Sequence, residues 1–173
     1  MGTITLITGG ARSGKSMQAL KLALPYQRKF FVATGQALDD EMTARIEFHR
    51  TTRPPDFRTI EEPIQVVAAL EKLDKNADLV VLDCLTLWIS NLMQRHGMDD
   101  GPVLAEADKL AAALTHAPFA SIVVTDEVGS GIVPTDHAES RRFRDLLGWT
   151  NQKIAAVADD VILMVAGYPL KLK

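Results

Sequence analysis

The sequence predicts an α/β fold in which a mainly parallel sheet is covered by helices on both faces, and three observations predict it. Five short runs rich in β-formers, residues 3–8, 30–34, 79–83, 121–125 and 161–165, are almost continuously hydrophobic, as strands buried on both faces are. Segments with helical spacing of apolar residues separate most of these runs, the alternation expected of parallel strands joined by crossover helices. A glycine-rich loop follows the first run and opens the first helix, the arrangement used by α/β folds to hold phosphate.

Each element has its own justification. The first helix starts at the glycine-rich loop, carries Met17, Leu20 and Leu24, and stops near Pro25. The second opens on Asp39, Asp40 and Glu41, acidic residues that favour a helix N-terminus, and sets Met42, Ile46 and His49 at helical spacing. Pro63 suits the first turn of a third, whose apolar face holds Val66, Val67, Leu70 and Leu73. Residues 85–95, 102–116 and 137–158 complete the helical set, with Gly148 a point at which the last can break. Gly167, Tyr168 and Pro169 form a turn, and residues 170–173 an antiparallel edge strand.

Size and charge narrow the function classes. The chain has 173 residues, 47% of them hydrophobic, and no internal repeat or linker-like tract, so residues 1–173 read as one folding unit. A formal net charge of −3 does not suit a general nucleic-acid or anionic-membrane binder, so any phosphate must be held locally. The longest apolar run, residues 161–166, is far short of the roughly 18 residues that span a bilayer. With no basic-then-apolar leader and a single cysteine, Cys84, the expected location is the cytoplasm.

Gly9-Gly10-Ala11-Arg12-Ser13-Gly14-Lys15-Ser16 fits G-x-x-x-x-G-K-[ST] in full and in the required strand-to-helix context. It makes the domain P-loop NTPase-like, with three layers. Successive amide N–H groups turn inward, the helix presents its positive end, Lys15 reaches the β- and γ-phosphates, and the Ser16 hydroxyl ligates Mg2+. The expected partner is an acid ending another buried strand, and Asp83 supplies it, either as support for the metal or as a cap on the next helix. Cys84 reads as a small buried residue, since no basic group flanks it. Asp126 and Glu127 end a further strand and either accept a substrate proton, bind a second ligand, or cap the following loop.

Arg45 and His49 stand four apart on one helical face, with Arg50 and Arg53 close behind. Neutral imidazole is a competent nucleophile near pH 7, and guanidinium groups both bind phosphate and stabilise a phosphoryl-transfer transition state. The same histidine also suits a half-buried structural position beside Ile46.

An ordered set of motifs carries a resemblance. After residues 8–16 come Ala33-Thr34, Leu38-Asp39-Asp40-Glu41-Met42, Arg45-Ile46, His49-Arg50 and Arg53-Pro54. Thr59, Glu61-Glu62-Pro63, Asp83-Cys84-Leu85-Thr86-Leu87-Trp88 and Ser90-Asn91-Leu92 follow. Glu127-Val128-Gly129-Ser130-Gly131-Ile132-Val133-Pro134, Arg142-Phe143-Arg144-Asp145-Leu146 and Asn151-Gln152 complete the series. Over nearly its whole length the sequence resembles the bifunctional adenosylcobinamide kinase/adenosylcobinamide-phosphate guanylyltransferase family of cobalamin biosynthesis.

The resemblance implies two transfers. In the first, ATP or GTP phosphorylates the hydroxyl of adenosylcobinamide, with Lys15 catalytic. In the second, His49 takes GMP from GTP, releases pyrophosphate and passes the GMP to adenosylcobinamide phosphate, giving adenosylcobinamide-GDP. It puts Gly9 to Ser16, Ala33, Thr34, Gly35, Arg50, Thr51, Thr52, Arg53, Glu61 and Asp83 on nucleotide-binding positions and implies a homotrimer. A role for Glu61 as acceptor of guanine N–H groups would give a preference for guanine. Three departures stand out: Phe48 replaces the first of two adjacent histidines, Asp126 stands where Asn is frequent, and Trp149-Thr150 replace an Arg-bearing pair. His96, His116 and His137 are expected in solvent. A single-activity kinase would use the loop without His49, and a nucleotide-dependent switch would need an N-K-x-D signature, which the sequence lacks.

Overall fold

A computed structural model describes residues 2–73 and 77–173. The strands are β1 (Ile4–Gly9), β2 (Lys29–Ala33), β3 (Phe57–Glu61), β4 (Leu79–Asp83), β5 (Ala120–Val124), β6 (Asp160–Val165) and β7 (Tyr168–Lys171). The helices are α1 (Lys15–Leu22), α2 (Asp40–Thr52), α3 (Val66–Glu71), α4 (Leu85–His96), α5 (Asp100–His116) and α6 (Ala138–Val157). One sheet runs in the order β3-β2-β4-β5-β1-β6-β7, parallel throughout except for β7, which returns antiparallel along β6. Because the strands run in register, Ala33, Glu61, Asp83, Val124 and Gly9 reach the same edge of the sheet. That carboxyl edge is where open parallel sheets bind ligands.

The two faces differ in depth. Alternation along β1 sends Ile4 and Leu6 to one side and Ile7 to the other. The first side is thick: α3, α4, α5 and α6 bury Val66, Leu70, Leu85, Trp88, Ile89, Val103, Leu110, Leu146 and Ile154 against it. On the other, α1 contributes Ala19, next to Ala23, beneath Phe31, Val81, Ile122 and Met164. Small residues let α1 lie close to the sheet, which sets the phosphate loop at its N-terminus directly over the end of β1. By contrast, α2 buries no residue at all, although Asp39 caps it by accepting a hydrogen bond from Met42 N at 2.7 Å.

The structure departs from the sequence expectation at several points. β3 is an additional strand: at the sheet edge its Arg58, Thr59 and Glu61 stay exposed, so it lacks the continuous hydrophobicity of a buried strand. Pro63 precedes α3 instead of opening it, because the Glu62 carboxylate accepts hydrogen bonds from Ile64 N and Gln65 N (2.9 and 2.7 Å) and holds a turn there. α6 passes unbroken through Gly148, whose neighbours Leu146, Leu147 and Thr150 anchor the helix in the core. The final turn falls on Ala166 and Gly167, both at positive φ (51° and 87°), as a two-residue hairpin turn requires, so β7 begins at Tyr168.

Candidate active site

The glycine-rich loop curls because two glycines take backbone conformations that side chains oppose. Gly9 has φ 151°, and a Cβ there would lie 2.5 Å from Met164 O; Gly14, at φ 98°, caps α1. The C-terminal hairpin braces this loop, since Gly167 N donates to Ser13 O at 3.0 Å. The sequence carries no signal for that brace. Ser13 Oγ, within this loop, is buried without a hydrogen-bond partner among the described residues.

Lys15 Nζ donates to Gly10 O at 2.7 Å and pairs with Asp126 Oδ1 at 2.6 Å. The hydroxyl of Ser16 donates to Asp83 Oδ2 at 3.1 Å, joining the first turn of α1 to the end of β4. Burial pushes the Asp83 carboxyl above its ordinary pKa, while the charge of His49, the Ser16 hydrogen bond and the charge of Arg53 pull it back. A cation would offset the same desolvation. Two hard oxygens at this spacing suit a small divalent ion. Among the described residues no group of three or more His, Cys, Asp and Glu side chains is placed to hold a metal.

Arg53 lies beside Asp83 with its guanidinium 3.5 Å above the Phe31 ring and Nη1 donating to Thr59 Oγ1 at 2.6 Å. Burial lowers its pKa, opposed by Asp83 and Glu61. His49 projects from the last turn of α2, exposed, yet close enough for its charge to act on Asp83. Gly35 permits this approach: a Cβ there would meet Ile46 of α2 at 3.3 Å. Thr34 is buried, and its hydroxyl donates to Cys84 O (2.7 Å) and accepts from Cys84 N (2.9 Å), while Asn91 Nδ2 donates to Thr34 O and Pro63 O. This network ties the ends of β2, β3 and β4 together beneath the site.

The structure thus gathers the loop residues, Asp83, Arg53, His49 and Glu61 at one sheet edge, with Ala33, Thr34 and Gly35 forming its floor. Arg50 is within electrostatic reach of Arg53. Thr51 and Thr52 instead turn their hydroxyls back to carbonyls of their own helix, at Glu47, Phe48 and His49. The two acids after β5 separate cleanly. Glu127 caps the following loop, accepting from Gly129 N and Ser130 N, whereas Asp126 points at Lys15. Asp126 is held on both sides of its backbone, its N–H by Thr86 Oγ1 and its carbonyl by Asn151 Nδ2. Burial pushes the Cys84 thiol up to about 12, as an inert residue requires. His116 and His137 are exposed and His96 is half-buried.

Residues 5–172 match the sequence pattern of the family described as cobinamide kinase / cobinamide phosphate guanyltransferase. The chain belongs to that family. It is 42% identical over 180 residues to the bifunctional adenosylcobalamin biosynthesis protein CobU of Escherichia coli strain K12, covering 97% of this chain and 98% of the relative. The corresponding CobP protein of Pseudomonas aeruginosa is 42% identical over 170 residues, with 97% and 96% covered. In fold alone, the cobinamide kinase family member described here is similar to the RadB recombinase, with TM-score 0.55 and 18% identity, over 94% of this chain and 74% of the recombinase. Among its described residues no helix is long and apolar enough to cross a membrane.

Proposed function

We propose that the chain is a bifunctional enzyme of cobalamin biosynthesis that phosphorylates adenosylcobinamide and then guanylylates the product. The observation that carries the proposal is the juxtaposition of a complete phosphate loop, the Ser16 and Asp83 oxygens at 3.1 Å, and a histidine on a neighbouring helix within electrostatic reach of Asp83. A simple kinase has no need of the last.

In the first step the amide groups of residues 9–16 orient the nucleotide and Lys15 neutralises the β- and γ-oxygens. The substrate hydroxyl oxygen bonds to the γ-phosphorus, its proton passes to water, and the bond to the bridging oxygen breaks with its electrons on the nucleoside diphosphate. The Ser16 hydroxyl and the Asp83 carboxylate would hold Mg2+, which would supply charge neutralisation at the phosphate oxygens. In the second step a ring nitrogen of His49 bonds to the α-phosphorus of GTP and pyrophosphate leaves. A phosphate oxygen of adenosylcobinamide phosphate then displaces His49 and takes the GMP. Arg50 and Arg53 stabilise the charge that builds on the α-phosphate. Glu61, exposed at the end of β3, accepts from guanine N–H groups. Thr51 and Thr52 complete the nucleotide surface when α2 turns toward it.

The enzyme works in the cytoplasm as a homotrimer, in which a corrinoid, large beside so small a chain, meets a site extended by neighbouring subunits. Transfer of γ-labelled phosphate from ATP to adenosylcobinamide tests the first activity. Lys15→Ala is expected to lower that rate by about 10²-fold or more. A variant that phosphorylates at the wild-type rate would refute the role of Lys15, and a wild-type protein that ignores the corrinoid would refute the function.

A further inference from the structure

The Lys15 ammonium, the main positive charge of the phosphate loop, already has a carboxylate partner: Asp126 Oδ1 lies 2.6 Å from Nζ, with the lysine side chain 10% exposed. Asp83 adds a second negative charge nearby, close enough for Asp126 to raise its pKa. Lys15 thus faces two carboxylates, Asp83 and Asp126, where a triphosphate must sit, with Arg53 and His49 as the opposing charges near Asp83. Arg12, on the loop's rim, is exposed and screened by solvent. The backbone from which the Asp126 side chain extends is fixed, its N–H held by Thr86 and its carbonyl by Asn151 at 2.8 and 3.2 Å. The adjacent Glu127, by contrast, has its carboxylate engaged by loop amides.

We infer that Asp126 is a specificity-determining residue that makes the site select the metal complex of the nucleotide over the free nucleotide. A metal-free triphosphate must break the Lys15 pair and then lie against two carboxylates. The divalent complex brings its own positive charge to the Ser16 and Asp83 oxygens, so the repulsion is cancelled as the phosphates take over Lys15. Replacing Asp126 with Asn keeps the side chain's volume and an acceptor for Lys15 while removing the charge, and so relieves the penalty on the free nucleotide in particular.

The inference rests on the phosphate-loop part of the proposed function and not on His49 or the corrinoid. Calorimetric titration with α,β-methylene-GTP, which resists attack at the α-phosphorus, in excess magnesium and again in EDTA, tests it with wild-type protein and Asp126→Asn. The variant is expected to bind the metal-free analogue about tenfold more tightly than wild type, while its affinity in magnesium changes by less than about threefold. Misfolding cannot produce a gain in affinity. A variant whose EDTA affinity equals or falls below that of wild type, or whose affinities rise equally in both conditions, overturns the role of Asp126. Wild-type protein that binds the analogue in neither condition overturns the phosphate-loop reading itself, a separate outcome.

Discussion

Cys84 and Thr34 show how single residues set the chemistry of this edge. Cys84 follows Asp83, yet its backbone is clasped by the Thr34 hydroxyl at both its N–H and its carbonyl, and burial lifts its thiol to about 12. The thiol therefore stays protonated through neutral pH, since its pKa lies above rather than below the solution value. Alkylation by iodoacetamide at pH 8 should proceed at least about 10²-fold more slowly in the folded protein than in denaturant. Equal rates would contradict this burial. At this scale the sequence was informative wherever a motif fixed the partner: Ser16 and Asp83 were expected together and are found together. Asp126 and Glu127 were indistinguishable as adjacent acids. Their division of roles arises from through-space partners, Lys15 for one and two loop amides for the other, which no spacing rule encodes.

Among the elements, α2 is the least secured. It carries His49 and Arg50 but buries no side chain, and its attachment rests on the Asp39 cap and on Ile46 lying over Gly35. α4 and α5, in contrast, bury Trp88, Ile89, Leu92, Val103, Leu110 and Leu114. Amide hydrogen exchange should show α2 exchanging at least about 10²-fold faster than the centres of α4 and α5. Removing the cap by Asp39→Ala, worth about 1 kcal/mol, should widen the gap. Equal protection in α2 and α4 would contradict a loosely held α2. The five central strands and most helices were legible because burial on both faces, or on one stripe, writes a strong hydrophobic pattern. β3 was not, because an edge strand with Arg58, Thr59 and Glu61 in solvent lacks that pattern, and the start of α3 was masked by the Glu62 turn.

For the whole molecule, strand order matters more than any one contact. Placing β5 between β1 and β4 brings Asp126 beside Lys15 while Asp83 reaches Ser16, and placing β2 and β3 beyond β4 delivers Arg53 and Glu61 to the same edge. A net charge of −3 thus coexists with a locally basic rim of His49, Arg50 and Arg53. The family could be recognised in the sequence because its motifs lie on these strand ends and loops. The hairpin brace from Gly167 to Ser13 could not be anticipated, since it joins segments far apart in the chain through backbone atoms alone. The proposed covalent step at His49 is what sets this arrangement apart from a plain kinase. Incubation with GTP labelled at the α-phosphate, followed by denaturation, measures that step directly. The wild-type protein should retain an acid-labile, base-stable label, and a His49→Ala variant with an unchanged circular dichroism spectrum should retain none; an equally labelled variant, or wild-type protein that transfers GMP without ever carrying it, would contradict the account.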